Sequence, residues 1–297
     1  MNQVAHITQP NTAIDNEPLF KQLTTRPYIA WPTVALFFFV VAGLFASTFS
    51  AFQNIIPLWS AIALNALFIY QVFTVTHDAT HNSLSLNKTI NNGLGQISTF
   101  ILSPILSFRV MRFVHMQHHR FANDPKKDPD AWVSSGAPWT FPLRWAVLDL
   151  SYPFYYLNNG VWKSRPKSEL KSQLITMSVG IITLAVIYQL GFLMDALLLW
   201  ILPSRIAIFF LALAFDFLPH YPHAASAQEN QYQASNNRVG FEWLLTPFLL
   251  GQNYHLVHHL YPTVPFYRYL KVWRAKEKTH LQNDPLTVKA FRLMPNK

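Results

Sequence analysis

Clustered histidines are the residues most able to do chemistry in this chain of 297 residues. Of its 12 histidines, only His6 and His280 lie outside four short clusters. Residues three or four apart share one face of a helix, so each cluster points its imidazoles in one direction. Imidazole binds iron, zinc, copper and nickel. The clusters contain His77 and His81; His115, His118 and His119; His220 and His223; and His255, His258 and His259.

The number of clustered imidazoles predicts more than one metal ion. A tetrahedral zinc ion takes four ligands, and the clusters offer more than twice that number. His223 is the weakest candidate, because a histidine at the end of a membrane helix can also hydrogen-bond at the interface. The chain contains no cysteine, which excludes thiolate ligands, disulfides and cysteine-ligated iron–sulfur clusters.

The elements that hold these clusters are predicted to be membrane helices. Charged residues make up only 12% of the chain, whereas soluble domains carry about 25%. Four apolar segments reach the ~20 residues that a spanning helix needs, and they cover residues 29–49, 55–76, 174–194 and 196–219. We therefore expect an all-α integral membrane protein, with four transmembrane helices in two hairpins and a cytoplasmic helical cap that carries the histidine clusters.

The distribution of positive charge predicts the orientation. Of 23 lysines and arginines, only Arg205 lies within a predicted span, and it must face other protein atoms or extend to the interface. Positive charge collects on the cytoplasmic side, so both termini and the central region are expected there. The predicted regions are a cytoplasmic N-terminal arm (1–28), a first hairpin (29–76), a cap with two clusters (77–173), a second hairpin (174–219) and a cytoplasmic C-terminal region (220–297).

Two further segments are predicted to lie at the membrane surface. Residues 93–108 are apolar but short, and Pro104 interrupts them, which favours a re-entrant or interfacial helix. Residues 138–157 are rich in tryptophan and tyrosine, which prefer the headgroup level. The net charge of +9 follows from the basic cytoplasmic regions. Because no basic run is interleaved with aromatic residues, we predict no nucleic-acid partner.

A metal store or transporter is the alternative that involves no catalysis. A transporter places its ligands within the spans, near the middle of the membrane. Here the clusters follow the ends of the predicted spans, which favours a catalytic centre at the membrane surface. A non-catalytic metal-binding membrane protein is kept as the alternative function.

Three of the clusters resemble the histidine boxes of the membrane fatty-acid desaturase/hydroxylase superfamily. The boxes read H-D-A-T-H, H-M-Q-H-H and H-L-V-H-H, and the resemblance covers roughly residues 30–270. The flanks R-F-A-N-D-P-K-K-D-P-D and G-Q-N-Y-H-L-V-H-H-L-Y-P are similar to those of the bacterial desaturase and carotenoid-hydroxylase-like branches. The resemblance implies two iron ions in a non-haem di-iron centre, O2 as co-substrate, and a bacterial inner membrane as the location.

The resemblance also implies the ligands. The box positions fall on His77, His81, His115, His118, His119, His255, His258 and His259. A further ligand is expected between the fourth span and the last box, and its best match is His220. Asp216 lies one turn earlier, where many desaturases have Asn. It is expected to be a catalytic residue that binds metal through water or orients His220, or else to cap the helix end.

Other polar residues near the boxes have two possible roles. Carboxylates can offset the positive charge of a histidine-ligated iron pair, or they can cap helices and turns. Amide side chains can hydrogen-bond to ligands or form turns. The carboxylates are Asp78, Asp124, Asp128 and Asp130, and the amides are Gln252 and Asn253.

Electrons are expected to come from a separate protein. The chain lacks cysteine, a dinucleotide-binding glycine motif and the His-Pro-Gly-Gly of a fused cytochrome b5. A ferredoxin, rubredoxin or cytochrome with its reductase is therefore implied, and such donors are usually acidic. Basic residues that suit such a donor, or equally the anionic headgroups of membrane lipids, are Lys163, Arg165, Lys167 and Lys171, or Arg268, Lys271 and Arg274.

The substrate is expected to be a long lipid. A centre at the membrane surface above apolar spans suits a fatty acyl chain or a carotenoid. Bulky aromatic residues in 138–162 favour a narrow passage, and hence acyl desaturation. The alternatives are hydroxylation of a carotenoid β-ring, hydroxylation of a fatty acid, and decarboxylation to a terminal alkene.

Overall fold

A computed structural model describes residues 15–158 and 160–295. These residues form thirteen helices and two short strands, with single turns of 3-10 helix between them. The strands are β1 (Asn237–Val239) and β2 (Thr287–Lys289). In chain order the helices are α1 (Glu17–Thr24), α2 (Trp31–Phe52), α3 (Leu58–Thr80), α4 (Lys88–Leu102), α5 (Phe108–Phe121), α6 (Phe141–Ala146), α7 (Leu148–Asn158), α8 (Lys167–Gln189), α9 (Leu193–His220), α10 (Glu242–Phe248), α11 (His255–Leu260), α12 (Tyr269–Ala275) and α13 (Glu277–Leu281).

Four of the helices are long and apolar enough to cross a membrane, which confirms the predicted fold class. They are α2, α3, α8 and α9. Their large exposed apolar side chains, such as Phe45 and Ile181, suit contact with lipid rather than water. The third span was predicted about five to seven residues too late, because α8 begins at Lys167 and ends at Gln189. Gly191, at φ +83°, forms the turn to α9.

The second and fourth spans, α3 and α9, continue beyond the apolar segments into the histidine clusters. His77 lies in the last turn of α3, and His220 is the last residue of α9. Each of these helices thus extends past the predicted end of its span, at residue 76 or 219, as far as a clustered histidine. Continuous helix at both points fixes the position of each imidazole relative to its span. A π-helical stretch at Ala212–Phe217 changes the helical phase of α9 just before His220, as such stretches do at functional sites.

Helices α4 and α5 form a hairpin around Pro104, where a re-entrant or interfacial helix was expected. The end of α4 lies beside the fourth span, where Trp200 Nε1 donates to the Ile101 carbonyl at 2.8 Å. The turn packs against α8, and Gln173 bonds to the backbone of Ile105 and Ser107. The hairpin thus runs from the histidine clusters to about the middle of the bundle and back.

The aromatic segment 138–157 packs along the fourth span as α6 and α7. Trp145 contacts Phe209 with ring centroids 5.6 Å apart. Arg205 faces protein, as one of the two expectations required, and its guanidinium forms two hydrogen bonds of 2.7 and 2.8 Å with the Asp149 carboxylate. This pair neutralises the one cation of the predicted spans.

The first described helix packs against the C-terminal region. α1 contacts α12, and Asn16 donates its N–H to the Ala275 carbonyl at 2.8 Å. Residues 1–14 of the predicted arm lie outside the described residues. The C-terminal region also contains the parallel pair β1 and β2, a small exception to the predicted all-α class.

Candidate metal centre

The first group of histidines joins three of the predicted clusters. It consists of His77 and His81 at the end of α3, His115 on α5 and His258 on α11, and its ligand atoms lie within 4.8 Å of one another. The Nε2 atoms of His77 and His258 are 2.9 Å apart, and those of His81 and His115 are 2.8 Å apart. Two ligands bound at about 2.0–2.1 Å to one cation lie roughly 3 Å apart, so this spacing fits a shared metal.

The second group joins the second, third and fourth clusters. It consists of His118, His220, His255 and His259, again within 4.8 Å of one another. The Nε2 atom of His220 lies 3.1 Å from those of both His118 and His255. His259 and His255 have Nε2 atoms 3.0 Å apart. The spacing again fits one cation.

Hydrogen bonds at the far side of the second group determine which ring nitrogen faces the centre. The Nδ1 atoms of three rings face oxygen acceptors: Asp128 Oδ1 for His118 at 3.0 Å, the Ala234 carbonyl for His220 at 2.8 Å, and Gln252 Oε1 for His255 at 2.7 Å. An acceptor requires a protonated Nδ1, which leaves the Nε2 lone pair of a neutral ring bare. The bare lone pairs of His220 and His255, 3.1 Å apart, repel unless a cation lies between them, so the donor set fits a metal.

Burial favours the neutral form of most of these rings. It lowers the pKa of His81, His115, His119, His255, His258 and His259 well below the ordinary value of 6.5. His118 is the exception. Burial lowers its pKa, but the carboxylates of Asp128 and Asp130 outweigh burial and raise it to about 10.

Two of the clustered histidines lie outside both groups of four. His119 lies between the groups: its Nε2 is 3.2 Å from that of His115, and its ring stacks on His259 with centroids 4.2 Å apart. His119 is thus close enough to serve as a further ligand. His223 contacts Asn123 Oδ1 at 3.2 Å instead. His223 therefore belongs to neither group, and its contact is the hydrogen bond that was predicted as its alternative role.

The predicted carboxylates divide into two kinds. Asp128 and Asp130 lie beside His118, with Asp130 Oδ2 3.5 Å from its Nδ1. Asp124 instead closes a surface turn by accepting from the N–H groups of Lys126 and Lys127. Asp78 points away from the centre, where it accepts from Thr33 Oγ1 at 2.7 Å and from the Phe266 N–H.

Asp216 lies near His118 and Asp130, and the three offer ligand atoms within 4.8 Å. It does not orient His220, whose Nδ1 donates to Ala234. The Oδ2 atom of Asp216 is buried and has no hydrogen-bond partner among the described residues. Its role as a catalytic residue or water-mediated ligand therefore stays a prediction.

Sequence reasoning missed two contacts to the grouped histidines. Tyr269 Oη lies 3.0 Å from His258 Nδ1, and the Ala234 carbonyl accepts from His220. Neither residue lies in a motif, and they stand 11 and 14 positions from the histidines that they contact. Of the two predicted amides, Gln252 reaches a ligand, whereas Asn253 donates to Thr246 Oγ1 instead.

A narrow cavity of about 60 Å³ leads away from the centre along α9. At one end it reaches His77, His118, His255 and Asp216, and at the other Ile208 and Asp149. Eight residues of helix separate Asp216 from Ile208, or about 12 Å. Most of the wall is apolar, and it includes Phe73, Leu106, Met111, Leu148, Leu211 and Phe215.

Comparison with known proteins relates this arrangement to characterised enzymes. The chain is 29% identical over 251 residues to dihydrorhizobitoxine desaturase of Bradyrhizobium elkanii, covering 77% of this chain and 69% of that protein. It is 30% identical over 199 residues to a beta-carotene ketolase of Paracoccus sp., covering 66% and 71%. A 12-desaturase for sn-1 oleoyl lipids from Picosynechococcus sp. is 30% identical over 116 residues, covering 39% and 30%.

The relatives named here are oxidoreductases, as their names state, and they act on different substrates. A sequence model of the fatty acid desaturase family matches residues 53–288 of this chain. That region contains all ten clustered histidines and three of the four candidate spans, α3, α8 and α9. The chain belongs to the fatty acid desaturase family.

Proposed function

We propose that this protein is an O2-dependent di-iron membrane oxidoreductase that desaturates a fatty acyl chain. The observation that carries the proposal is the pair of four-histidine groups, in which five pairs of neighbouring Nε2 atoms lie 2.8–3.1 Å apart. Imidazole without cysteine suits non-haem iron as well as zinc or copper, and membership of the family favours iron.

Each part of the chain has a distinct task in this proposal. The Nε2 atoms hold two irons, and the acceptors Asp128, Gln252 and the Ala234 carbonyl keep the rings in the required tautomer. Bound iron would supply the activation of O2 that attacks an unactivated C–H bond. The apolar cavity holds the substrate carbon against the centre and excludes water. Asp216 is proposed to act at the junction of the two, through an ordered water.

The shape of the cavity favours a slim substrate. A cavity of about 60 Å³ suits a single polymethylene segment better than a cyclic end group. Leu106 and Leu211 face it, and an apolar lining suits methylene groups. Since the other end of the cavity meets Asp149, paired with Arg205, the substrate segment beyond the centre is expected to be short.

Oxygenation of a carotenoid ring is the second candidate. It is supported by similarity to a beta-carotene ketolase over 66% of this chain. A ring would require the cavity to widen, so the side chains of Met111 and Phe215 would have to move. Hydroxylation and decarboxylation of a fatty acid use the same site and differ only in the fate of the substrate radical.

The membrane orientation and the electron supply are also proposals. We expect the histidine-bearing side to be cytoplasmic, in the inner membrane of a bacterium, because the lysines and arginines collect there. A separate ferredoxin, rubredoxin or cytochrome would deliver electrons from its reductase. Arg268 is a poorer docking residue than expected, since its guanidinium bonds to the carbonyls of Leu23 and Thr25.

Expression in a host that makes both acyl lipids and carotene tests the proposal. The lipid and carotenoid profiles are compared between cells with the wild-type protein and cells with His258→Ala. We expect new unsaturated acyl chains only with the wild type. Oxygenated carotene with an unchanged acyl profile would show that the second candidate is correct.

A further inference from the structure

We propose that the outer face of α4 and α8 binds one anionic phospholipid. A groove of about 590 Å³ runs between these helices on the surface of the bundle. It is separate from the cavity at the histidines, and no residue lines both. The groove begins at Ser168, in the first turn of α8, and ends at Val179.

The dimensions of the groove suit a single acyl chain. Eleven residues of helix separate Ser168 from Val179, a rise of about 16 Å, and this direction is that of a spanning helix. Its inner part is apolar on both sides. Ile97, Phe100 and Ile101 come from α4, and Ile175 and Val179 from α8. Ile97, Ile175 and Val179 are each about half exposed, so lipid must cover them in a membrane.

The mouth of the groove is positively charged. Arg109 and Lys171 line it, and both are exposed. Among the residues that the structure describes, neither forms an ion pair. A neighbouring depression of about 620 Å³ shares Arg109 and adds Lys88 and Arg112. The carboxylate that lines this depression, that of Glu169, is already paired with Arg165 at 2.6 Å.

Charge and shape together select a phospholipid over an acidic protein. An acidic protein would be attracted by Arg109 and Lys171, but its surface would not fill an apolar groove that continues about 16 Å along a spanning helix. A zwitterionic lipid fits the groove but gains less from two unpaired cations. An anionic phospholipid satisfies both features, because its phosphate meets the cations where its acyl chain enters the groove.

Native mass spectrometry of the full chain in mild detergent tests the site with two probes. Phosphatidylglycerol and phosphatidylcholine with identical acyl chains are added, and the retained lipid is counted. Each basic residue near an anionic surface contributes on the order of a five-fold change in binding. We therefore expect Arg109→Gln/Lys171→Gln to lower phosphatidylglycerol retention roughly ten- to thirty-fold and to leave phosphatidylcholine retention unchanged.

Two further variants separate the groove from general attraction. Lys126→Gln/Lys289→Gln removes the same charge from exposed positions outside the groove and should retain the lipid. Ile97→Trp fills the groove and should release both lipids. Unchanged phosphatidylglycerol retention in the Arg109 and Lys171 variant would overturn the proposal. An equal loss in the Lys126 and Lys289 control would also overturn it. So would an Arg109 and Lys171 variant that keeps its lipid and loses only its turnover with an acidic electron donor.

Discussion

Replacing Asp128 with Asn tests how the second histidine group is held. Asp128 Oδ1 lies 3.0 Å from His118 Nδ1, and both side chains are almost fully buried, at 3% and 4% exposure. The substitution keeps the shape of the side chain but removes its charge. One of the two carboxylate oxygens also becomes an amide NH2 group. Either the Asn123 N–H, which donates to Asp128 Oδ2 at 2.8 Å, then loses its acceptor, or His118 is left with a weaker acceptor.

The magnitude follows from the lost charge. A hydrogen bond to a charged group contributes about 1.5–3 kcal/mol, and losing a partner of a metal-bound histidine lowers metal affinity about 10–100-fold. These two figures agree, because each factor of ten corresponds to about 1.4 kcal/mol. We expect Asp128→Asn to lose iron to a chelator at about 10–100-fold lower chelator concentration than the wild type, with turnover falling in parallel.

Asp124→Asn is the matched control. Asp124 lies four positions earlier, in the same loop, and accepts only from backbone N–H groups of the turn and from Lys127. We expect this variant to keep its iron and its turnover. If Asp128→Asn retained iron as the wild type does, or if both variants lost it equally, the assignment of Asp128 as the partner of a metal ligand would be refuted.

Two further predictions concern stability, and thermal unfolding in detergent measures both. Arg205→Met should lower the free energy of unfolding by about 3–5 kcal/mol, because it leaves Asp149 buried without its partner. The double variant Asp149→Leu/Arg205→Met should recover most of that loss. An equal loss in both variants would contradict this prediction. Gly180→Ala should cost about 1–3 kcal/mol, because its Cβ would lie 2.2 Å from the Pro104 carbonyl oxygen. Gly93→Ala should be neutral or stabilising, because its Cβ would meet no described atom within 4 Å. Equal melting temperatures for Gly180→Ala and Gly93→Ala would contradict the close packing of α8 against Pro104.

The histidine spacing predicted which residues meet but not how they divide. His258 and His259 are adjacent, yet they belong to different groups. Adjacent residues on a helix point about 100° apart, so one helix can serve two centres. The sequence contains this geometry, but the division becomes visible only when α3, α5 and α9 are in place around α11.

Contacts between distant segments were beyond the reach of the sequence. The partner of Arg205 lies 56 positions away, and nothing local distinguishes Asp149 from any other acid. The start of α8 was missed for a related reason. Hydropathy detects the apolar part of a span, whereas the first turn of α8 consists of polar residues such as Lys167 and Ser168. These residues extend the helix beyond the apolar segment.

The iron content of the purified protein tests the central claim most directly. Elemental analysis of protein from iron-supplied cells, in mild detergent, should give about two irons per chain for the wild type. His81→Ala, which alters the first group, and His259→Ala, which alters the second, should each lose mainly one iron. A single zinc with no iron in the wild type, or unchanged iron in both variants, would contradict the di-iron account.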